Sequence, residues 1–172
     1  MGNFQPVLTS IAAGGTAYIA APNVGSLSEG YVLLNLPVGV NGYGVFRQSI
    51  PGQSDQEAVV PFSGATSLSS ILAFDETSFT TGVAIVNPSS VATTVAVRLS
   101  DLNGNVIGTS SINLQPYAKT ESALRALPGL GGMVGKVGSA QFTAGSGSVS
   151  VLGLRFGATA FTSIPLHNNS SR

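Results

Sequence analysis

The 172-residue chain has no cysteine, no tryptophan and one histidine. It carries 7 Lys and Arg against 7 Asp and Glu, 8% of its residues, with a formal net charge of zero. A typical soluble domain is about 25% charged. Each scarcity excludes something. Nucleic-acid binding depends on clustered Lys and Arg that displace counterions. The seven cations here are scattered singly, so no nucleic-acid partner is expected. A polybasic membrane anchor is excluded on the same ground. Without cysteine there are no disulfides, thiolate zinc sites or Cys nucleophiles. No stretch approaches the ~18 uninterrupted apolar residues of a membrane helix. The densest, from Tyr31 to Val40, is broken by Asn35, Pro37 and Gly39, so membrane insertion is not expected. No charged segment leads into an apolar one at the start, so no signal peptide is expected in this chain.

What is present is 43% hydrophobic residues, 22 Gly and 9 Pro. A neutral chain with that apolar content can bury a core. Its apolar runs are short, rich in Val, Ile, Thr and Phe, and bounded by Gly, Pro, Asn or Ser, which is the pattern of strands. Strands are expected near Val7–Ile11, Thr16–Ala21, Gly30–Leu36, Tyr43–Ser49, Glu57–Phe62, Ser70–Phe74, Gly82–Asn87, Thr93–Ser100, Val106–Leu114, Ser139–Thr143, Val149–Phe156 and Ala160–Ile164. In Thr94 to Leu99 the residues Val95, Val97 and Leu99 share one face, as period two requires. Asp101-Leu102-Asn103-Gly104-Asn105 reads as a hairpin turn, because Asn and Gly tolerate positive φ. One short helix is expected over 121–127, capped by Thr120 and stopped by Pro128-Gly129. About a dozen short strands in this length predict an all-β, antiparallel β-sandwich architecture.

A partial internal repeat organises the chain. The stretch from Leu8 to Phe62 follows the plan of Ile112 to Leu166. Gly44-Val45-Phe46-Arg47 corresponds to Gly153-Leu154-Arg155-Phe156, and Val60-Pro61-Phe62 corresponds to Ile164-Pro165-Leu166. Residues 71–111 have no upstream counterpart. The expectation is the back half of a β unit over 1–65, followed by a complete sandwich unit over 66–172, packed as one body and descended from a tandem array.

At Glu29-Gly30-Tyr31, Gly42 through Gln48, Gln56 through Phe62, Val83 through Ser89, and Ser150 through Phe156 with Phe161 through Pro165, the chain resembles β-rich modules found near the C-termini of secreted or surface proteins of soil bacteria, mainly acidobacterial. The likeness covers most of residues 28–165. It implies an extracellular or cell-surface accessory module and carries over no catalytic residues. It also fits a piece of a longer protein.

Candidate chemistry is sparse. His167 lies in the polar tail Leu166 to Arg172, where a general base is rarely held in place. There is no Gly-x-Ser-x-Gly elbow, no Ser-x-x-Lys and no phosphate-binding Gly motif. No catalytic residue is therefore assigned. A metal site would be built from carboxylates and so suit calcium or magnesium. The candidate ligands are Asp55, Glu57, Asp75 and Glu76; the competing reading of Asp75 is a turn residue capping local N–H groups. Asp101 to Asn105 imitates the start of an EF-hand, but its Gly is misplaced and Ile112 stands where the bidentate Glu belongs. The strand arginines Arg47 and Arg155 read as anchors, with Glu57 or Asp75 as partners. Phe46, Phe62, Phe74, Phe142 and Phe156 read as core. The candidate binding patch is Tyr43 with Arg47 and Gln48.

Three functions are carried forward. The first is a non-catalytic extracellular module for surface display, adhesion or self-assembly, whose partners are other copies of the chain or a cell-surface ligand. The second is a carbohydrate-binding module, and the third a carboxylate-metal hydrolase.

Overall fold

Short β-branched and aromatic segments become strands where each finds a neighbour to take its backbone hydrogen bonds and a face to bury. The computed structural model describes residues 7, 9–21, 30–49, 51–52, 54–62, 68–158 and 160–169. The chain divides into two units, Met1–Gly30 and Tyr31–Arg172.

In the first unit the described residues 9–21 form irregular chain with one turn, closed by the Gly15 N–H on the Ala12 carbonyl at 2.8 Å. Strands were expected here and at 30–36, but none forms among the described residues. Tyr18, Ile19, Val32 and Leu33 are exposed. Alternation alone does not make a strand: with no paired neighbour among the described residues, these segments gain no ladder bonds and little burial.

Among its described residues the second unit contains eleven strands: β1 (Tyr43–Gln48), β2 (Gln56–Pro61), β3 (Ser69–Asp75), β4 (Thr80–Val86), β5 (Thr93–Asp101), β6 (Val106–Leu114), β7 (Lys119–Ala123), β8 (Val137–Ala144), β9 (Ser150–Phe156), β10 (Phe161–Ile164) and β11 (His167–Asn169). All pairings are antiparallel. The strands form a five-stranded sheet β11-β3-β8-β5-β6, a four-stranded sheet β10-β9-β4-β7 and the two-stranded hairpin β1-β2. The fold is the expected all-β sandwich.

The alternation read from Thr94–Leu99 is the core: Val95, Val97 and Leu99 are fully buried. They lie in one cluster with Leu72 and Phe74 of β3, Ala140 and Phe142 of β8, Val83 and Ile85 of β4, Val151 of β9 and Ile164 of β10. Each large side chain so buried contributes about 1.5–3 kcal/mol. The expected hairpin at Asp101 is present. Its carboxylate accepts the N–H groups of Asn103 and Asn105, both at 2.9 Å, and Gly104 has φ 83.

Two other segments depart from expectation. Residues 119–123 are strand β7 rather than helix, and only Leu124–Ala126 form a single 3-10 turn. β7 completes the ladder of β4, from Val86 opposite Lys119 to Gly82 opposite Ala123. The run Thr-Glu-Ser has too little intrinsic helix propensity to resist that pairing. The polar tail is also partly strand, because β11 pairs with β3 and places His167 opposite Ile71.

Several buried polar side chains bond to segments distant in sequence. Asn87, fully buried, donates its amide to the carbonyls of Val91 at 2.8 Å and Gln115 at 3.1 Å, and accepts from the Ser89 N–H and hydroxyl. This one side chain pins the loop after β4 to the turn between β6 and β7.

Among the described glycines, Gly138 in β8 has the least room for a side chain. A Cβ there would overlap the Ser100 carbonyl oxygen and press on the Phe74 ring at 2.9 Å. Neither a backbone carbonyl nor a core ring can retreat cheaply. Gly138→Ala is expected to lower unfolding free energy by about 2–3 kcal/mol in urea titration. Gly131→Ala, where a Cβ meets open space, should stay within about 0.5 kcal/mol of wild type.

Candidate functional site

The residues singled out from the sequence fall in two places, the β1–β2 hairpin and the β3–β4 turn. In the hairpin the register runs from Tyr43 opposite Pro61 to Gln48 opposite Gln56. Strand alternation then puts Tyr43, Val45 and Arg47 on one face with Glu57, Val59 and Pro61. Gln48 falls on the other face, so the expected patch keeps Tyr43 and Arg47 together and separates Gln48 from them. On their face Tyr43 is 64% exposed, Val45 51% and Val59 50%. On the opposite face Ala58 is buried and Phe46 is 51% exposed.

Arg47 anchors the end of this face. Its guanidinium donates to Asp55 Oδ2, with Nε at 2.8 Å, and lies 3.9 Å from Glu57 Oε1. Asp55 Oδ1 accepts from the Ser49 hydroxyl at 2.7 Å. The hydroxyl and the guanidinium together hold the Asp55 carboxyl below its ordinary value of 3.8. The expected Arg47–Glu57 pairing is present, and Asp55 is the closer partner. Both acids thus face a cation, an arrangement that leaves less negative charge for a metal.

The second acidic pair is split. Asp75 turns back on its own loop and accepts from the Thr77 N–H at 3.0 Å and hydroxyl at 2.6 Å. These two bonds lower its pKa from 3.8. This is the turn-capping geometry expected for it. Glu76 points inward, its side chain 0% exposed. It accepts from the Thr81 N–H at 2.5 Å and from Arg125 at 3.3 Å. Arg125 sits on the 3-10 turn that replaced the expected helix. Among the described residues no three metal-ligating side chains gather at one point.

Several features were not read from the sequence. Phe46, Phe62 and Phe156, expected in the core, are exposed, while Phe74 and Phe142 are buried as expected. An open cleft of about 270 Å³ lies at the β9–β10 turn, lined by Phe79, Arg155, Ala158, Ala160, Phe161 and Thr162. The Arg155 guanidinium lies over the Phe79 ring, 5.2 Å from its centroid, and Phe156 stacks on Phe161 at 5.8 Å. The expected partners of the two strand arginines were Glu57 or Asp75. Arg155 adds only the smallest lowering contribution to the Asp75 carboxyl, behind both Thr77 bonds. Phe79 was the detectable signal, as the aromatic residue just before β4.

The two segments aligned as repeats occupy hairpins of one register. Gly44 stands opposite Val60, the residue before Pro61, and Gly153 stands opposite Ile164, the residue before Pro165. Their surroundings differ. A Cβ on Gly153 would meet Leu72 at 2.9 Å and Ile164 at 3.2 Å, whereas one on Gly44 would meet nothing within 4 Å. Compared with protein-family models, curated proteins and solved structures, the chain matches none.

Two tests follow. Removing Arg125 strands a buried carboxylate, so Arg125→Ala is expected to cost about 2–3 kcal/mol by urea titration, and Arg125→Lys less. The carboxyls of Asp55, Asp75 and Asp101 are all held below 3.8. A lowered folded pKa gives stability that is present above 3.8 and lost as pH falls through the folded value. Asp101→Asn should therefore lower the urea midpoint at pH 7, and its difference from wild type should shrink as pH falls below 3.8.

Proposed function

We propose that the chain is a non-catalytic, extracellular β-sandwich module that acts by association, in surface display, adhesion or self-assembly, and that β1–β2 is its contact surface. The observation that carries this reading is the contrast between two hairpins of equal register. β9–β10 packs its Gly face onto Leu72, while β1–β2 presents Tyr43, Val45, Phe46 and Val59, each at least half exposed. Apolar side chains grouped on an exposed sheet commonly mark an interaction site. The scarcity of charge supports the reading, because little repulsion opposes contact between neighbouring copies. The likeness of Gly42–Gln48 and Gln56–Phe62 to modules of secreted bacterial proteins supports the extracellular placement. The repeat supports descent from an array in which such hairpins met a neighbouring unit.

A second reading, binding to a polysaccharide surface, is favoured by the exposed Tyr43 ring on the same hairpin face as Arg47, which pairs with Asp55.

Beads coated with the wild-type chain should cluster with one another or adhere to bacterial cell-wall preparations. Beads coated with the triple variant Tyr43→Ser, Val45→Ser, Val59→Ser should lose that behaviour. Wild-type and variant beads that are equally inert would overturn the association reading. Retention on insoluble polysaccharide, lost in Tyr43→Ala, would select the second reading; no retention of the wild type would remove it.

A further inference from the structure

The hairpin register fixes which backbone groups face outward. The Phe62 N–H donates to the Gly42 carbonyl at 3.0 Å. Gly42 and Phe62 therefore form a hydrogen-bonded pair of the antiparallel ladder, and such pairs recur at every second residue. Carried along the register, Gly44, Phe46 and Gln48 direct their N–H and C=O groups at β2. The N–H and C=O groups of Tyr43 and Val45 point the opposite way. The same parity turns the Val59 carbonyl away from β1, and there it accepts the Ser163 hydroxyl of β10 at 2.7 Å. The far edge of β2 is thus met by β10. Nothing from outside the hairpin bonds the backbone of Tyr43 or Val45 among the described residues.

Other outer strands carry features that discourage pairing with another chain. β7 bears Lys119 and Glu121. β6 follows a register shift at Leu99/Ser100 and is rich in Ser, Thr and Asn. β11 is three residues long and polar. β1 has no proline and no register shift, its one charged residue, Arg47, is paired with Asp55 and Glu57 of its own chain, and its Tyr43, Val45 and Phe46 are exposed.

Taking the association reading as its basis, we propose that β1 pairs antiparallel with β1 of a second copy about a two-fold axis through Val45. A second copy is the occupant because the strand is complementary to itself in this register. Val45 meets its own counterpart, and each donates its outward N–H to the other's carbonyl. Gly44 lies opposite Phe46 of the second copy, where the missing side chain leaves room for the ring. Tyr43 lies opposite Arg47 of the second copy, so a guanidinium meets an aromatic ring and the two arginines stay apart. Each Arg47 remains neutralised by Asp55 and Glu57 of its own chain. Odd residues must face odd residues, so a one-residue slip would set outward groups against inward ones and lose the ladder. The result is a four-stranded sheet, β2-β1-β1-β2, running across both copies.

Two variants test this in the full chain. Val45→Pro removes the outward N–H and leaves intact the bonds between β1 and β2, a placement that edge strands tolerate. Val45→Cys introduces the only thiol in the sequence and, across a hydrogen-bonded pair with Cα atoms about 5.5 Å apart, can close a disulfide. Light scattering should show wild-type mass rising with concentration from 17.3 kDa to about twice that value. Val45→Pro should stay at monomer mass with an unchanged far-ultraviolet spectrum and melting temperature. Val45→Cys should give a disulfide dimer under mild oxidation at least about tenfold faster than Thr94→Cys on the exposed face of β5. Wild type that stays monomeric at millimolar concentration, or Val45→Pro that dimerises like wild type, would overturn the pairing. Monomeric wild type whose coated beads still bind cell-wall material through the hairpin would refute the second-copy partner while leaving the association reading in place.

Discussion

The structure depends first on burial between two sheets. With 14 charges in 172 residues, exposed ion pairs contribute little to holding the strands, each worth about 1 kcal/mol or less. The work falls to Leu72, Phe74, Val97, Leu99, Ile85 and Phe142, which form one buried cluster drawn from the five- and four-stranded sheets; protein interiors are close-packed. Close packing sets the remaining demands. Gly138 must lack a side chain because Ser100 and Phe74 fill its space. Glu76 can be buried only because the Thr81 N–H and Arg125 meet both of its oxygens. Asn87 can be buried only because two carbonyls and Ser89 saturate its amide.

The same burial rule separates the two hairpins. β9–β10 gains stability from the sheet against it. β1–β2 has the matching register but leaves apolar side chains in water, at a free-energy cost that contact with another surface would recover. A chain with few charges also has few means of keeping such a surface apart from others. The proposed role in association and the low charge are therefore two sides of one physical condition.

The central sandwich was legible because its strands state their inner face in the sequence. Val95, Val97 and Leu99 alternate with Thr94, Ala96 and Arg98, and the structure buries the first set. The Asp101–Asn105 turn was legible because its conformation is local. The errors have a common origin in tertiary context. Phe46, Phe62 and Phe156 have the residue types of a core, but burial is decided by what packs on a strand, which no local pattern records. Thr120 to Leu127 looked like a capped helix because the signals were read without the vacant edge of β4, which drew residues 119–123 into a ladder. The candidate site was half legible. Tyr43 and Arg47 do share a face, as their spacing requires, and the same alternation removes Gln48. The carboxylates gave no such pattern, because the directions of Asp55, Asp75 and Glu76 are set by Arg47, Thr77 and Arg125. The outward direction of the Val45 backbone depends on one bond, from Phe62 to Gly42, whose phase is set by the hairpin register.

Residue-resolved amide hydrogen exchange at low and high protein concentration tests the central claim most directly. The Phe46 N–H, bonded within the hairpin, serves as an internal reference protected at every concentration. The account predicts that the Val45 N–H exchanges rapidly in dilute solution and becomes protected as concentration rises, while Phe46 changes little. Rapid exchange at Val45 that is independent of concentration, with Phe46 protected throughout, would contradict it.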